Sequence, residues 1–294
     1  MTNQPVGTTQ RTVGLVTDST ACLPKALVER YGIRIAPFSF IFGDQVYRDD
    51  ENARPQDFYR LLRSSKEQPK TSPASPGTYL SLYQELESRY PAILCVTLHA
   101  RLSSLYNSAK VAADMAKESN PATQIAVVDS ATASMAAGFL VLAAAEAAER
   151  GASLQEVTEV VERLKPKVRL VAVLDTLDYL ARSKRIPKVG AWAASLLNVK
   201  PILGIRNGDV GLQGRAHSKR GALRKIEGMI GKEAANGGKL HAAVIHTEAE
   251  EEAHAFRDRI AGLFDCAELH VCPFTPVMGM YTGPGLVGLA FYVE

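Results

Sequence analysis

Val13-Gly14-Leu15-Val16-Thr17 is a short run of β-favouring residues closed by Asp18-Ser19-Thr20, and a helical stretch from Pro24 to Tyr31 follows it. The chain therefore starts as strand, loop, helix. Ile33 to Phe42 is predicted as a strand, Gly43-Asp44 as a tight turn, and Gln45 to Tyr47 as the return of a hairpin. A helix from Pro55 to Arg63 precedes Lys70-Thr71-Ser72-Pro73-Ala74-Ser75-Pro76, whose prolines and small residues predict a loop without regular structure.

From Gly77 the alternation becomes regular: helix to about Arg89, strand Ala92 to Leu98, helix Ser103 to Lys117, strand Gln124 to Val128, helix Ser134 to Glu149. Strands alternating with helices of this length predict βαβ units and a parallel sheet. Helix Ser153 to Lys165 leads into strand Val168 to Leu174, and Pro166 marks a change of domain. The second half is looser. Leu177 to Ala181 and Val189 to Leu197 read as helical, Pro201 to Arg206 and Val210 to Gln213 as a hairpin around Asn207-Gly208, and Lys219 to Glu233 as a basic helix. Strand Ala242 to His246, helix Glu248 to Leu263, strand Glu268 to Pro273 and strand Leu286 to Val293 complete it. The expected architecture is two α/β domains. Residues 13–165 carry a mainly parallel sheet flanked by helices, and residues 166–294 a mixed sheet with helices.

A length of 294 residues with 46% hydrophobic content supports cores of this size. The formal charge of +3, from 34 basic against 31 acidic residues, is too balanced for the electrostatic footprint of a nucleic-acid binder. Cys22, Cys95, Cys266 and Cys272 have no zinc-ligand spacing, so they read as reduced core thiols. The polar stretch Met1 to Thr12 has no signal-peptide apolar run, and no segment reaches the roughly 18 apolar residues of a membrane helix. The expectation is a cytoplasmic protein that is not integral to a membrane.

Three hydroxyl-rich, backbone-exposing segments stand out: Lys70 to Pro76, Leu102-Ser103-Ser104-Leu105-Tyr106-Asn107-Ser108, and Thr282-Gly283-Pro284-Gly285. The first two fall where an open parallel sheet presents its ligands, and the third is placed to close the same cleft from another domain. Together they fit an anionic head group held by neutral donors. Val16-Thr17-Asp18-Ser19 and Val127-Val128-Asp129-Ser130 end two strands alike, which serves either ligand binding or loop closure and capping. Gly283-Pro284-Gly285-Leu286-Val287-Gly288 has GxGxxG spacing, but a strand follows it instead of a helix. It reads as a turn offering N–H groups to a ligand, not as a dinucleotide fingerprint. No GxSxG elbow is present; His99, four residues before Ser103, leaves a serine-dependent hydrolase or transferase as the rival reading. The run Arg182-Ser183-Lys184-Arg185 is either a solvated face or the source of one arginine for the cleft, and Arg215 to Arg220 with Arg224 and Lys225 is a second basic surface, open to an acidic partner.

Taken in order, several motifs resemble the DegV family of fatty-acid-binding proteins over about Val13 to Val293. They are Val16-Thr17-Asp18-Ser19-Thr20, Lys70-Thr71-Ser72-x-x-Ser75, Leu102-Ser103 with Tyr106 and Ser108-Ala109, Val128-Asp129-Ser130, Leu177-x-x-Leu180 to Arg185-Ile186, Lys200-Pro201-Ile202-Leu203 and Thr282-Gly283-Pro284-Gly285. The resemblance implies a non-catalytic carrier that buries one long-chain fatty acid, uses no other cofactor, and presents the carboxylate to the ATP-binding subunit of a fatty acid kinase. By motif position Thr71 and Ser103 hold the carboxyl group, with Ser72 beside them, Arg185 as charged support, and Tyr281 and Thr282 closing the site. The acyl tail then supplies most of the affinity: about fifteen methylenes at roughly 0.8 kcal/mol each, before ordering costs. This chain departs from the family pattern at Tyr281, where histidine is usual, at Ser183-Lys184 in place of Gly-Gly, and at Ser104-Leu105 in place of Gly-Thr.

Overall fold

Strand-forming residues at Val13–Asp18 (β1), Arg34–Ala36 (β2), Ala92–Thr97 (β6) and Gln124–Asp129 (β7) build a four-stranded sheet in the order β2-β1-β6-β7. All three pairings are parallel. β1 and β6 are buried along their whole length, as a central parallel strand covered on both faces must be. The computed structural model describes residues 11–49, 55–64, 69–186, 188–189 and 199–294. Helices α1 (Lys25–Tyr31), α3 (Pro76–Glu87), α4 (Leu105–Ser119), α5 (Ser134–Glu149) and α6 (Leu154–Leu164) connect and cover these strands, while α2 (Pro55–Ser64) precedes the segment from Lys70.

The run Ile33 to Phe42 is not one strand. It breaks at Pro37, which has no N–H for a ladder. Its second half, β3 (Ser39–Phe42), pairs antiparallel with β4 (Gln45–Arg48) and with β5 (Lys70–Ser72) in a separate three-stranded sheet. The segment from Lys70 is thus partly regular, contrary to the loop expected there. Thr71 and Ser72 lie before Pro73 and remain free to pair, Ser75 caps α3, and Pro76 opens that helix, where its missing N–H costs nothing.

Residues 169–293 form a six-stranded mixed sheet ordered β10-β9-β8-β13-β11-β12, from β8 (Arg169–Val173), β9 (Lys200–Arg206), β10 (Asp209–Ala216), β11 (Leu240–His246), β12 (Cys266–Pro273) and β13 (Val287–Val293). Only β11 and β12 pair in parallel. The hairpin around Asn207-Gly208 is present, both residues carrying positive φ as its turn requires. Helices α7 (Asp178–Ser183), α8 (Lys219–Glu233), α9 (Glu250–Leu263) and α10 (Pro276–Thr282) accompany it. α10 is not among the elements expected from the sequence, because its seven residues are too few for a visible helical period. The helix expected over 189–197 lies outside the described residues except for Val189.

α5 is apolar on every side, and its residues from Ser134 to Ala145 are buried without exception except Ala143. Apart from the exposed Glu146 and Glu149 near its end, such a helix has no solvent face and sits inside the protein. It packs against β1 and β6 of the first sheet and against β8 and β13 of the second, so one continuous core joins both halves. A second core lies beneath the opposite face of the six-stranded sheet, under α8 and α9. Cys22, Cys95 and Cys272 are buried free thiols and Cys266 is a half-buried one.

Candidate functional site

Along β8 the side chains alternate, and Leu170 and Ala172, with Leu174 beyond them, share one face. The register sets Ala172 opposite Leu203 and Leu170 opposite Ile205 on β9, and Ile205 opposite Val210 on β10. These residues floor a cavity of about 130 Å³ that is walled from the other half by Thr20, Phe38, Leu98, Leu102 and Ala133. Ile245, Phe274, Val277 and Met278 extend the apolar lining. Apart from Thr20, the polar lining consists of Ser183, Arg185, Tyr281 and Thr282.

Three of the six sequence-derived candidates meet. Arg185 donates through Nη2 to Thr71 Oγ1 at 2.8 Å and through Nη1 to the carbonyl of Leu102 at 2.6 Å. Thr71 Oγ1 also shares a hydrogen bond with the Tyr281 hydroxyl at 2.6 Å, and the guanidinium lies over the Tyr281 ring, 4.6 Å from its centroid. The sequence folds this way for local reasons. β5 carries Thr71 to the edge of β3, α10 presents Tyr281, and the chain reverses at Lys184 after α7. Lys184 adopts a left-handed φ of 54°, a conformation that glycine would take without strain. Ser183 brackets the turn, donating to Leu180 O at 2.6 Å and accepting from Arg185 N at 3.3 Å. Two hydrogen bonds thus do for Ser183-Lys184 what backbone freedom does for Gly-Gly.

The other candidates are placed differently. Thr282 borders the cavity, but its hydroxyl donates to Met278 O at 3.2 Å inside α10. Ser103 is half-buried next to Leu102, just before α4, whose first N–H groups have no partner within the helix. Ser72 follows Thr71 on a strand and therefore faces the opposite way; it is exposed. The Leu102 carbonyl was not among the candidates, because no side chain announces it. Arg182 and Lys184 of the same basic run are exposed.

Two expectations change. The Gly-Pro-Gly turn does not offer its N–H groups to a ligand: Gly283 N donates to Gly279 O at 2.8 Å and Gly285 N to Thr247 O at 2.7 Å, because the turn caps α10. The two Asp-Ser strand ends close loops. Asp18 accepts from Thr20 and from Leu98 N, and burial raises its carboxyl to about 6 despite those bonds. Asp129 accepts from Ala131 N and Ala100 N; burial opposes its ionisation, but these bonds and His99 hold it below the usual carboxylate range. His99 does not reach for Ser103. Its Nε2 lies 2.8 Å from Gly208 O, and its Nδ1 faces Asp129 Oδ2 at 3.5 Å.

No helix among the described residues is long and apolar enough to cross a membrane, and no group of three or more His, Cys, Asp or Glu side chains among them is placed to hold a metal ion. An apolar cavity with a cation and hydroxyl groups at its rim can take an apolar molecule that carries an anionic end.

Comparison with known proteins is consistent with this geometry. The chain is 30% identical over 280 residues to Protein DegV of Bacillus subtilis, covering 95% of this chain and 98% of that protein. It is 34% identical over 285 residues to a DegV domain-containing protein of Streptomyces coelicolor, with 95% and 98% covered. A DegV family protein from Thermus thermophilus, described for its fatty acid binding, superposes with a TM-score of 0.89 at 31% identity, covering 96% of this chain and all of that one (100%). A stearic acid-binding protein from Eubacterium ventriosum superposes with a TM-score of 0.86 at 26% identity, over 96% and 98% of the two chains. The model of the DegV family of uncharacterised proteins matches residues 12–294, and this chain belongs to that family.

Proposed function

We propose that this protein binds one long-chain fatty acid, its acyl tail in the apolar cavity and its carboxylate at Arg185, Thr71 and Tyr281. The observation that carries the reading is the convergence of those three side chains, the only polar cluster at the rim of an otherwise apolar cavity among the described residues. Proteins of the same fold described as fatty-acid-binding support it. The three groups hydrogen-bond one another, so an entering carboxylate exchanges hydrogen bonds instead of meeting bare charges. Arginine favours this exchange, because its planar fork matches a carboxylate in two places. Ser103 and the unpaired N–H groups opening α4 complete the head-group site from the other half. The site needs no metal and no further cofactor. Delivery of the carboxylate to a fatty acid kinase rests on the family resemblance, and the half-buried position of Arg185 leaves the head group near the surface for such a partner.

Isothermal titration of delipidated protein with palmitate and oleate tests the reading. The expected outcome is saturable binding at one site per chain, weakened when Arg185 is replaced by alanine. Heats indistinguishable from dilution for both acids refute it.

A further inference from the structure

Asp49, in the turn after β4, is 2% exposed, and a carboxylate so buried persists only where hydrogen bonds replace its water. Ser19 and Val277, 30 positions before it and 228 after it, supply them. Ser19 Oγ donates to Oδ2 at 2.7 Å, and the backbone N–H of Val277 donates to Oδ1 at 3.1 Å. The Asp49 N–H donates in turn to the Phe38 carbonyl at 2.8 Å, and Phe38 N donates to Ser19 Oγ at 3.2 Å. Asp49, Ser19 and Phe38 are thereby linked in a ring of bonds that also holds Val277.

Each of these partners borders the apolar cavity, although Asp49 itself does not line it. Phe38 and Val277 are part of its wall, and Ser19 precedes Thr20, which is another part. Val277 also belongs to the first turn of α10, and Tyr281 stands one turn further along the same helix. With seven residues α10 is too short to hold together without tertiary contacts, and the side chain of Thr275, at its N-terminal boundary, makes no capping bond. Asp49 takes that role for the Val277 N–H, which has no partner within the helix. The ties of Tyr281 itself, to the Thr71 hydroxyl and the Arg185 guanidinium, are those an entering carboxylate competes for. The bond from Val277 to Asp49 lies outside that exchange.

We propose that Asp49 is a positioning residue of the head-group site: by fixing the first turn of α10 to the Ser19 and Phe38 segments, it holds the Tyr281 hydroxyl where the carboxylate of the ligand meets it. The inference rests on the fatty-acid reading and adds to it a residue that acts through Tyr281 without touching the ligand.

A double-mutant cycle on the dissociation constant of oleate, measured with delipidated protein, reads the outcome. Asp49→Ala is expected to take from Tyr281→Phe most of its effect, because a hydroxyl no longer held in place contributes little. The factor by which Tyr281→Phe raises the constant should be smaller in the Asp49→Ala background than in wild type by about threefold or more. A general loss of stability does not produce that coupling. A reduction of less than about threefold overturns the positioning role, and so does a Tyr281→Phe substitution without effect in wild type. Where Asp49→Ala does not fold, Ser19→Ala, which removes the hydroxyl that holds the carboxylate, is judged by the same criterion. Wild-type protein that binds no acid overturns the fatty-acid reading and this inference with it, whereas acid binding with additive substitutions overturns this inference alone.

Discussion

Thr71 and Tyr281 lie 210 positions apart in the chain, yet their hydroxyl oxygens are 2.6 Å from each other. Neither would be buried comfortably alone. Together with Arg185 they form a closed set in which each polar group has a partner, at the rim of a cavity with almost no other polar atoms. The substitution of tyrosine for the histidine usual in the family keeps a donor there and removes a group that titrates near neutrality.

Tyr281→Phe is the most delicate probe of this arrangement. The ring under Arg185 stays and only the hydroxyl goes, so one hydrogen bond near a charge is lost, worth about 1–2 kcal/mol. The dissociation constant for a long-chain acid should rise roughly 5- to 30-fold. An unchanged constant would place the head group elsewhere.

Ser103 and Ser72 make a matched pair, because strand alternation turns Ser72 away from Thr71 while Ser103 stands half-buried before α4. Ser103→Ala should weaken acid binding by about 1–2 kcal/mol, the scale of one hydrogen bond to a charged group. Ser72→Ala should leave it unaltered, since that side chain is exposed on the other face of β5. Displacement of a fluorescent acid measures both, and equal effects would contradict the proposed head-group geometry.

Lys184→Gly should stabilise the protein by about 1 kcal/mol, because glycine takes the left-handed conformation after α7 without a Cβ clash. The midpoint of urea unfolding is the readout. A lower midpoint would show that the lysine side chain contributes more than its backbone costs.

Away from the cavity, Glu268 accepts hydrogen bonds from His241 and His270, both at 2.8 Å, and His241 reaches Glu294 at 2.9 Å. Burial opposes charge on Glu268, yet the two histidines pull its carboxyl down to about 2 from 4.5. Burial likewise disfavours the charged form of His241, but Glu268 and Glu294 outweigh it and raise the imidazole above 6.5. The lowered carboxyl contributes stability that is full above its unfolded value and lost as pH falls towards about 2; the raised imidazole contributes stability that is full below 6.5 and lost as pH rises through its folded value. Both contributions are complete between about pH 4.5 and 6.5. Thermal unfolding across pH should show Glu268→Gln losing most stability in that window, and a loss that is the same at every pH would remove this network from the account.

Much of the fold is legible in the sequence because the signals are local. Residues Ser134 to Glu149 and Lys219 to Glu233 carry their own helical pattern and occupy those spans in the structure. Asn207-Gly208 specifies its hairpin by backbone freedom alone. What the sequence conceals depends on partners far along the chain. Lys70 to Ser72 becomes a strand only because β3 lies beside it, and a seven-residue helix such as α10 is too short to show a period. The candidate site divides the same way. Thr71, Arg185 and Tyr281 are recognisable by motif, and the structure brings them together; the Leu102 carbonyl and the alternating face of Leu170, Ala172 and Leu174 emerge only once the register is known. His99 shows the limit most clearly. Its spacing from Ser103 resembles a catalytic pair, but its hydrogen bond crosses to Gly208.

The most direct test of the central claim is native mass spectrometry of the purified protein, with organic extraction of whatever it carries. One long-chain acid per chain is expected, retained by wild type and depleted in the Arg185→Ala variant. Protein that carries no lipid and stays unliganded after incubation with acids of 14 to 20 carbons, lengths spanning about the fifteen methylenes considered above, would contradict it.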